Sequence, residues 1–356
     1  MPKKIAVLTG GGDAPGLNAV IRAIVKYGSN FGWTIFGVEE CFNGFYKPNK
    51  QVWELTPKSC QGLLTKGGTI LGTVNKGFIF EEDENGVLPA PLIAQTVADM
   101  GLDGLVVIGG DGTQTIAYRL MTEYGLKVIG VPKTIDNDLS HTDYTFGFWS
   151  AVDMCTDALD RLHTTGDSHD RVMILEVMGR TAGWISLYAG ISGGADCIII
   201  PEIPYDPSTI VNKILERRGR GRHFSTIIIA EGAKPLSEYT GPEPVSTSKR
   251  FTPGKASDIL AAKIMEHLDV ECRTTVLGHL QRGGSPSAFD RLLATRFGIK
   301  AVDMVLADQW GELAVLQNGK MNSIHLSQVA GAPREIPHTE ELIATAKKVG
   351  ICLGDK

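Results

Sequence analysis

The sequence predicts an α/β protein made of two doubly wound, largely parallel-sheet domains of the Rossmann-like kind. Three observations carry that expectation. Short continuous Val- and Ile-rich runs, such as "DGLVVIGG" at 103–110 and "STIIIAEG" at 225–232, suit strands covered on both faces. Glycine, proline or aspartate ends each run, and a helical pattern follows. At 356 residues the chain is long enough for two domains with sizeable cores.

Taken in order, "KIAVLT" at 4–9 is the first strand. "TGGGDAPGLNAVIR" at 9–22 is a glycine loop that opens a helix near Leu17, with Val20, Ile21, Ile24 and Val25 near helical spacing and Gly28 near its end. "DGLVVIGG" leads into "GGDGTQT" at 109–115, and "KVIGVP" at 127–132 leads into "GVPKTIDND" at 130–138. "SAVDMCTDALDRLHTT" is again helical in pattern. The strands "RVMILEV" at 171–177, "DCIIIPE" at 196–202 and "STIIIAEG" complete the apolar runs. Residues 232–257, rich in Pro, Gly, Ser and Thr, form a long exposed connection before the helix "DILAAKIMEHL". Strand, loop, helix, strand implies right-handed crossovers, and ligands belong at the carboxyl ends of such strands.

A formal net charge of -5 argues against general affinity for nucleic acid or an anionic membrane, so any phosphate site must be local. The six cysteines, Cys41, Cys60, Cys155, Cys197, Cys272 and Cys352, form no CxxC pair, which fits neither a disulfide framework nor a zinc site and suits a reducing cytoplasm. The apolar run after the first two lysines is too short for a signal peptide, and no stretch approaches the ~18 apolar residues of a membrane span.

Three loops carry candidate chemistry. Backbone amides of "TGGGDAPG" and the helix start behind it can approach phosphate oxygens, although a tight strand-to-helix turn needs the same residues. Neither GxxxxGK[ST] nor GxGxxG spacing is present. Asp111 of "GGDGTQT", flanked by glycines, can bind a magnesium that bridges phosphates, or it can cap the next helix. Lys133, Thr134, Asp136, Asn137 and Asp138 put a cation, a hydroxyl and two carboxylates on one loop, as phosphoryl transfer to an alcohol requires; the plainer reading is a solvated ion pair.

"GGGDAPGLNAVIR", "GGDGT", "PKTIDND", "TDYTFGF", "EVMGRTAGW" and "VLGHLQRGGSPSAFDR" occur in this order, and together they resemble the 6-phosphofructokinase family over most of the chain. The resemblance implies phosphoryl transfer from ATP with Mg2+ to the 1-hydroxyl of fructose 6-phosphate, in a cleft between the two domains. It implies a phosphate-donor domain of residues 1–146 plus about 280–330, and a sugar-phosphate domain of 147–279 plus about 331–356. Asp136 becomes the base for the sugar hydroxyl, Asp138 lies near the metal and the moving phosphoryl, and Asp111 binds magnesium. Gly11, Gly110, Gly112 and Thr113 contact the donor. Thr134, Ile135, Met178, Gly179, Arg180, Glu231, His279, Leu280, Gln281 and Arg282 bind the sugar phosphate. Arg171 and Arg273 match positions that reach in from a neighbouring subunit, so a homotetramer, or else a homodimer, with shared sites is implied.

The donor is less uniform in its signals. Asn75, followed by Lys76, stands where the allosteric bacterial members carry an arginine, which makes Lys133 the candidate to neutralise the moving phosphoryl. Lysine before "TIDND" resembles pyrophosphate-using members, while Gly112 resembles ATP-using ones, because an aspartate there would crowd and repel an α-phosphate. ATP is favoured; pyrophosphate or ADP stays open. The position of His163 is an arginine in allosteric relatives, and the basic "RRGRGR" at 217–222 reads as a solvated helix end, so the family's effector scheme is not carried over even though Arg22 remains. A kinase for NAD or lipid shares only the GGDG loop, and a non-catalytic regulatory subunit would have no chemical need of Asp111, Asp136 and Asp138.

Overall fold

The computed structural model describes residues 2–75, 78–83, 86–239, 254–329, 331 and 333–355. Its strands are β1 (Lys4–Thr9), β2 (Thr34–Val38), β3 (Val52–Leu55), β4 (Gly104–Gly109), β5 (Val128–Thr134), β6 (Phe146–Gly147), β7 (Val172–Val177), β8 (Cys197–Ile199), β9 (Ser225–Ala230), β10 (Cys272–Val276), β11 (Glu312–Gln317) and β12 (Lys320–His325). The helices are α1 (Leu17–Ser29), α2 (Pro89–Asp99), α3 (Asp111–Tyr124), α4 (Phe148–Asp167), α5 (Trp184–Ser192), α6 (Pro207–Gly219), α7 (Lys255–His267), α8 (Ala288–Leu306) and α9 (Glu341–Lys348). The chain divides into two compact units, one of Met1–Ile135, Leu139–Trp149 and Arg282–Pro333, the other of Asp136–Asp138, Ser150–Gln281 and Arg334–Lys356.

The first unit holds a sheet in the order β12-β11-β5-β4-β1-β2-β3, with β6 paired to β5. Its centre is parallel, and its two margins, β3 on β2 and β12 on β11, are antiparallel. Alternation along the strands splits the core in two. Ile5, Val7, Val106, Ile108 and Ile129 pack with α1 and α8, while Ala6, Leu8, Leu105, Val107 and Val128 pack with α2 and α3. Helices on both faces therefore explain why the central runs are apolar at every position.

The second unit holds an all-parallel sheet, β10-β7-β9-β8, which an isolated bridge from Cys197 extends to Cys352 near the C-terminus. Val172, Ile174, Cys197, Ile199, Ile227 and Ile229 pack against Ile210, Ile214, Leu260 and Ile264 of α6 and α7. Within the expected 232–257 connection two stretches are ordered as helix. A single helical turn forms at Leu236–Glu238 and α7 already begins at Lys255, three residues before the expected Asp258, while residues 240–253 lie outside the described residues. The "RRGRGR" run does close a helix, with Arg217 bonded to Asp196 at 2.6 Å and Arg220 to Glu216 at 2.6 Å. His163 packs edge-on to Phe224, with ring centroids 4.7 Å apart.

Candidate active site

In the first unit β1 has β2 on one side and β4 on the other, so the strand order reverses at β1. The crevice at the carboxyl ends of β1 and β4 is where such a sheet takes a ligand. The glycine loop and the Asp111 loop border it, and the Lys133 loop leaves the same edge from β5.

The glycine loop is held by its carbonyls. Thr73 Oγ1 donates to the Gly11 carbonyl at 2.5 Å, the Lys133 ammonium to that of Gly12, and Arg282 Nη1 to that of Asp13 at 3.0 Å. In a trans peptide the N–H points opposite to the C=O of the residue before it, so the Gly12 and Asp13 amides face away from the Thr73 and Lys133 anchors. Among the described residues no acceptor meets either amide, whereas Gly11 N–H is taken by the Val74 carbonyl at 3.0 Å. A Cβ on Gly12 would lie 2.4 Å from Arg282 Nη1, so a larger residue there would displace that guanidinium from the Asp13 carbonyl. Lys133 is only 3% exposed, which removes the solvated ion pair as an account of it. Asn75 is exposed, and Lys76 lies outside the described residues.

Asp111 is not the cap of α3. Gly110 occupies that position with extended backbone and no side-chain cap, and Asp111 Oδ1 accepts the Gly331 amide at 2.8 Å. Burial raises the Asp111 pKa and the Gly331 hydrogen bond partly opposes it. A single half-buried carboxylate beside glycine suits a magnesium that takes most of its ligands from water and phosphates. Among the described residues no cluster of three or more His, Cys, Asp or Glu forms an all-protein cage. Among the described residues nothing lies within 4 Å of where a Cβ on Gly112 would stand. Thr113 is 6% exposed and fills the space against Gly10 and Gly109. Gln114, which sequence reasoning passed over, donates to the carbonyls of Val107, Gly109 and Val131 at 3.2, 3.1 and 3.0 Å, and so ties the ends of β4 and β5 beneath the loops. It stands in the quoted "GGDGTQT", but nothing local says that a glutamine there is buried. A cavity of 850 Å³ in this unit is lined by Tyr46, Pro48, Val74, Phe78 and Leu92 among others, and its Val74 is the residue that accepts from Gly11.

Thr134 and Ile135 are buried at the end of β5, where the Thr134 carbonyl accepts Thr145 Oγ1 at 2.7 Å. Asn137, buried and left-handed at φ 52, sits between the half-buried Asp136 and Asp138. The Asp138 carbonyl accepts the Arg334 amide at 2.7 Å.

In the second unit the carboxyl ends of the adjacent strands β10, β7 and β9 deliver Gly278–Gln281, Met178–Arg180 and Glu231 to one edge. Glu231 N–H bonds to the Val177 carbonyl at 2.9 Å and Gly232 N–H to that of Gly179 at 3.1 Å. A Cβ on Gly232 would fall 1.9 Å from the Arg180 carbonyl, so only glycine lets these loops meet. At the same edge a cavity of 610 Å³ is lined by Arg180, Thr181, Trp184, Glu202, Lys234 and Arg334, among others. His279, Leu280 and Gln281 occupy one helical turn; Leu280 is 63% exposed and Gln281 is 1% exposed. Arg282, in the other unit, is the residue on the Asp13 carbonyl.

Arg171 and Arg273 are not brought to that edge. Arg171 precedes β7 and Arg273 is the second residue of β10, so both lie at the amino ends of strands whose carboxyl ends carry Met178 and His279. The six residues of β7 span roughly 20 Å. Both guanidinium groups bond to Glu271, whose pKa they lower, Arg171 most of all.

The Phosphofructokinase family model matches residues 4–305. An ATP-dependent 6-phosphofructokinase 2 of Clostridium perfringens is 45% identical over 371 residues, covering 99% of each chain. An ATP-dependent 6-phosphofructokinase of Chloroflexus aurantiacus is 45% identical over 99% of this chain and 98% of its own. Among solved structures, phosphofructokinase of Saccharomyces cerevisiae has a TM-score of 0.79 at 33% identity, over 98% of this chain and 47% of that longer one. A pyrophosphate-dependent phosphofructokinase of Nitrosospira multiformis shares the fold with a TM-score of 0.81 at 18% identity.

Proposed function

The chain belongs to the phosphofructokinase family, and from that premise we propose that it transfers the γ-phosphoryl group of ATP to the 1-hydroxyl of fructose 6-phosphate, giving fructose 1,6-bisphosphate and ADP. The observation that carries ATP as donor is the open space at Gly112, where no neighbour among the described residues lies within 4 Å of a Cβ position. A nucleotide needs room beyond its outer phosphates, and the 850 Å³ cavity next to the glycine loop supports that reading because it is of ligand size.

Asp136 takes the proton of the sugar hydroxyl as its oxygen attacks phosphorus in line with the departing ADP oxygen. Asp138 stands two residues on, near the moving group. The outward amides of Gly12 and Asp13 receive phosphate oxygens, as oriented backbone donors do in a glycine nest. Lys133, anchored under the same loop, adds fixed positive charge, and Gly11, Asn75, Lys76, Gly110 and Thr113 complete the donor side. Asp111 would hold Mg2+, which neutralises phosphate charge when bound. Thr134, Ile135, Met178, Gly179, Arg180, Glu231 and His279 hold the sugar phosphate, with Leu280, Gln281 and Arg282 in the same turn. Arg171 and Arg273 lie at the far edge of their sheet, and this supports their serving a neighbouring subunit's sugar phosphate in a homotetramer or homodimer. Among the described residues no helix is long and apolar enough to cross a membrane, and six free thiols suit a reducing cytoplasm.

Initial rates with fructose 6-phosphate and Mg2+, and with ATP, ADP, GTP and pyrophosphate in turn, test the reading. ATP should give the highest kcat/KM; a clear preference for pyrophosphate overturns the donor assignment and leaves the acceptor standing.

A further inference from the structure

Gln281 lies in the "HLQR" turn, yet its side chain is 1% exposed and committed to the protein. Its Oε1 accepts the Met178 amide at 3.1 Å and the Cys155 thiol at 3.3 Å, and its Nε2 donates to the Gly278 carbonyl at 3.0 Å. These bonds join three segments: α4 through Cys155, the loop after β7 through Met178, and the turn after β10 through Gly278. They span 126 and 103 positions of sequence.

The chemistry selects glutamine. An amide N–H and a thiol S–H both need an acceptor while the Gly278 carbonyl needs a donor, and a planar amide offers both. A glutamate would turn an oxygen toward that carbonyl and bury a charge; a methionine of similar length would leave the Met178 amide without an acceptor. The Cys155 thiol suits its part, since burial raises its pKa far above the usual range and keeps the proton it donates.

We infer that Gln281 is a positioning residue for the sugar phosphate: it fixes the Met178 backbone and, through Gly278, the His279 turn in register with each other, and its own side chain does not touch the sugar. Gly278 adopts φ 48, a left-handed conformation whose carbonyl direction the Gln281 bond helps to hold. This inference rests on the proposed sugar-phosphate site. It separates the two substrates, because the Gln281 side chain makes its bonds with Cys155, Met178 and Gly278, within the unit that carries the proposed sugar loops.

The test is steady-state kinetics on the full-length protein with both substrates varied. Gln281→Met should raise the KM for fructose 6-phosphate by about ten- to thirtyfold, the effect of one buried amide losing its acceptor, with the ATP KM unchanged. Cys155→Ala should raise the sugar KM about two- to fivefold. Combined with Gln281→Met it should add nothing, because the thiol's acceptor is already gone. A sugar KM that stays at the wild-type value in Gln281→Met, or that rises together with the ATP KM, overturns the assignment. If Gln281→Met does not fold, Cys155→Ala decides alone: a raised sugar KM with unchanged ATP KM supports the role, and any other result overturns it. Wild-type protein without turnover on fructose 6-phosphate would instead refute the proposed function, so the two failures are distinguishable.

Discussion

Asp136 and Gly112 are the residues at which single substitutions speak most directly to the chemistry. Asp136→Ala should lower kcat by about 10²- to 10⁴-fold while fructose 6-phosphate binding is largely kept, as expected when a general base is lost. Near-normal turnover would remove Asp136 from that role. Gly112→Asp is a clean probe because a side chain there meets open space and the position needs no left-handed backbone. The melting temperature should be unchanged, while the ATP KM rises through repulsion of a phosphate by the new carboxylate. Unchanged ATP kinetics would refute the steric and electrostatic account of donor choice. At this scale the sequence offered candidates where one residue type stands at one strand end, as with Asp111 and the two aspartates of "TIDND". It was silent on partners: nothing near Asp111 in sequence points to Gly331, 220 positions away.

Among the elements, the strands that read clearly were those buried on both faces. β4, β5, β7 and β9 are buried at every position and each was visible as an apolar run. β3, β10 and β12 were not, because their exposed and half-exposed positions interrupt any continuous run, as expected of strands at sheet margins. The start of α5 carries a pH dependence of its own. The Glu202 carboxylate accepts the Gly183 amide, at the cap of α5, and the Ile336 amide, both at 3.0 Å. Burial nonetheless outweighs these bonds and pushes its pKa up to about 7 from 4.5, with the nearby Glu335 adding in the same direction. The folded protein thus holds a proton that the unfolded chain has already released. Stability from this group is fully present below about pH 4.5 and is lost as pH rises through about 7, on the order of 3 kcal/mol in all. Urea denaturation at pH 5 and pH 8 should show that fall in the wild type and a much smaller one in Glu202→Gln, whose Oε1 still accepts both amides. Equal slopes in the two proteins would refute it.

For the whole molecule, the placement of Arg171 and Arg273 is the main constraint. They lie at the amino edge of the sheet, on the shared partner Glu271, away from the carboxyl edge that carries Met178–Arg180 and Glu231. If sites are shared between subunits as proposed, mixing Asp136→Ala with Arg273→Ala protein after dissociation and reassembly should restore activity that neither variant has alone, because some sites then receive an intact Asp136 and an intact Arg273. No recovery would show that each chain completes its own site. The sequence by itself determined the α/β class and the buried parallel strands. It also identified the six ordered motifs and the acceptor chemistry they imply. Those features are written in contiguous residues, where periodicity and glycine or aspartate at a strand end act locally. Only the tertiary structure decided that Lys133 and Arg282 anchor the glycine loop by its carbonyls, that Gly331 rather than a helix cap engages Asp111, and that Gln281 laces Met178 to Gly278. Most of these contacts join segments one hundred or more positions apart, or depend on burial that no local window encodes, so they come into being only when the strands assemble and bring their ends together.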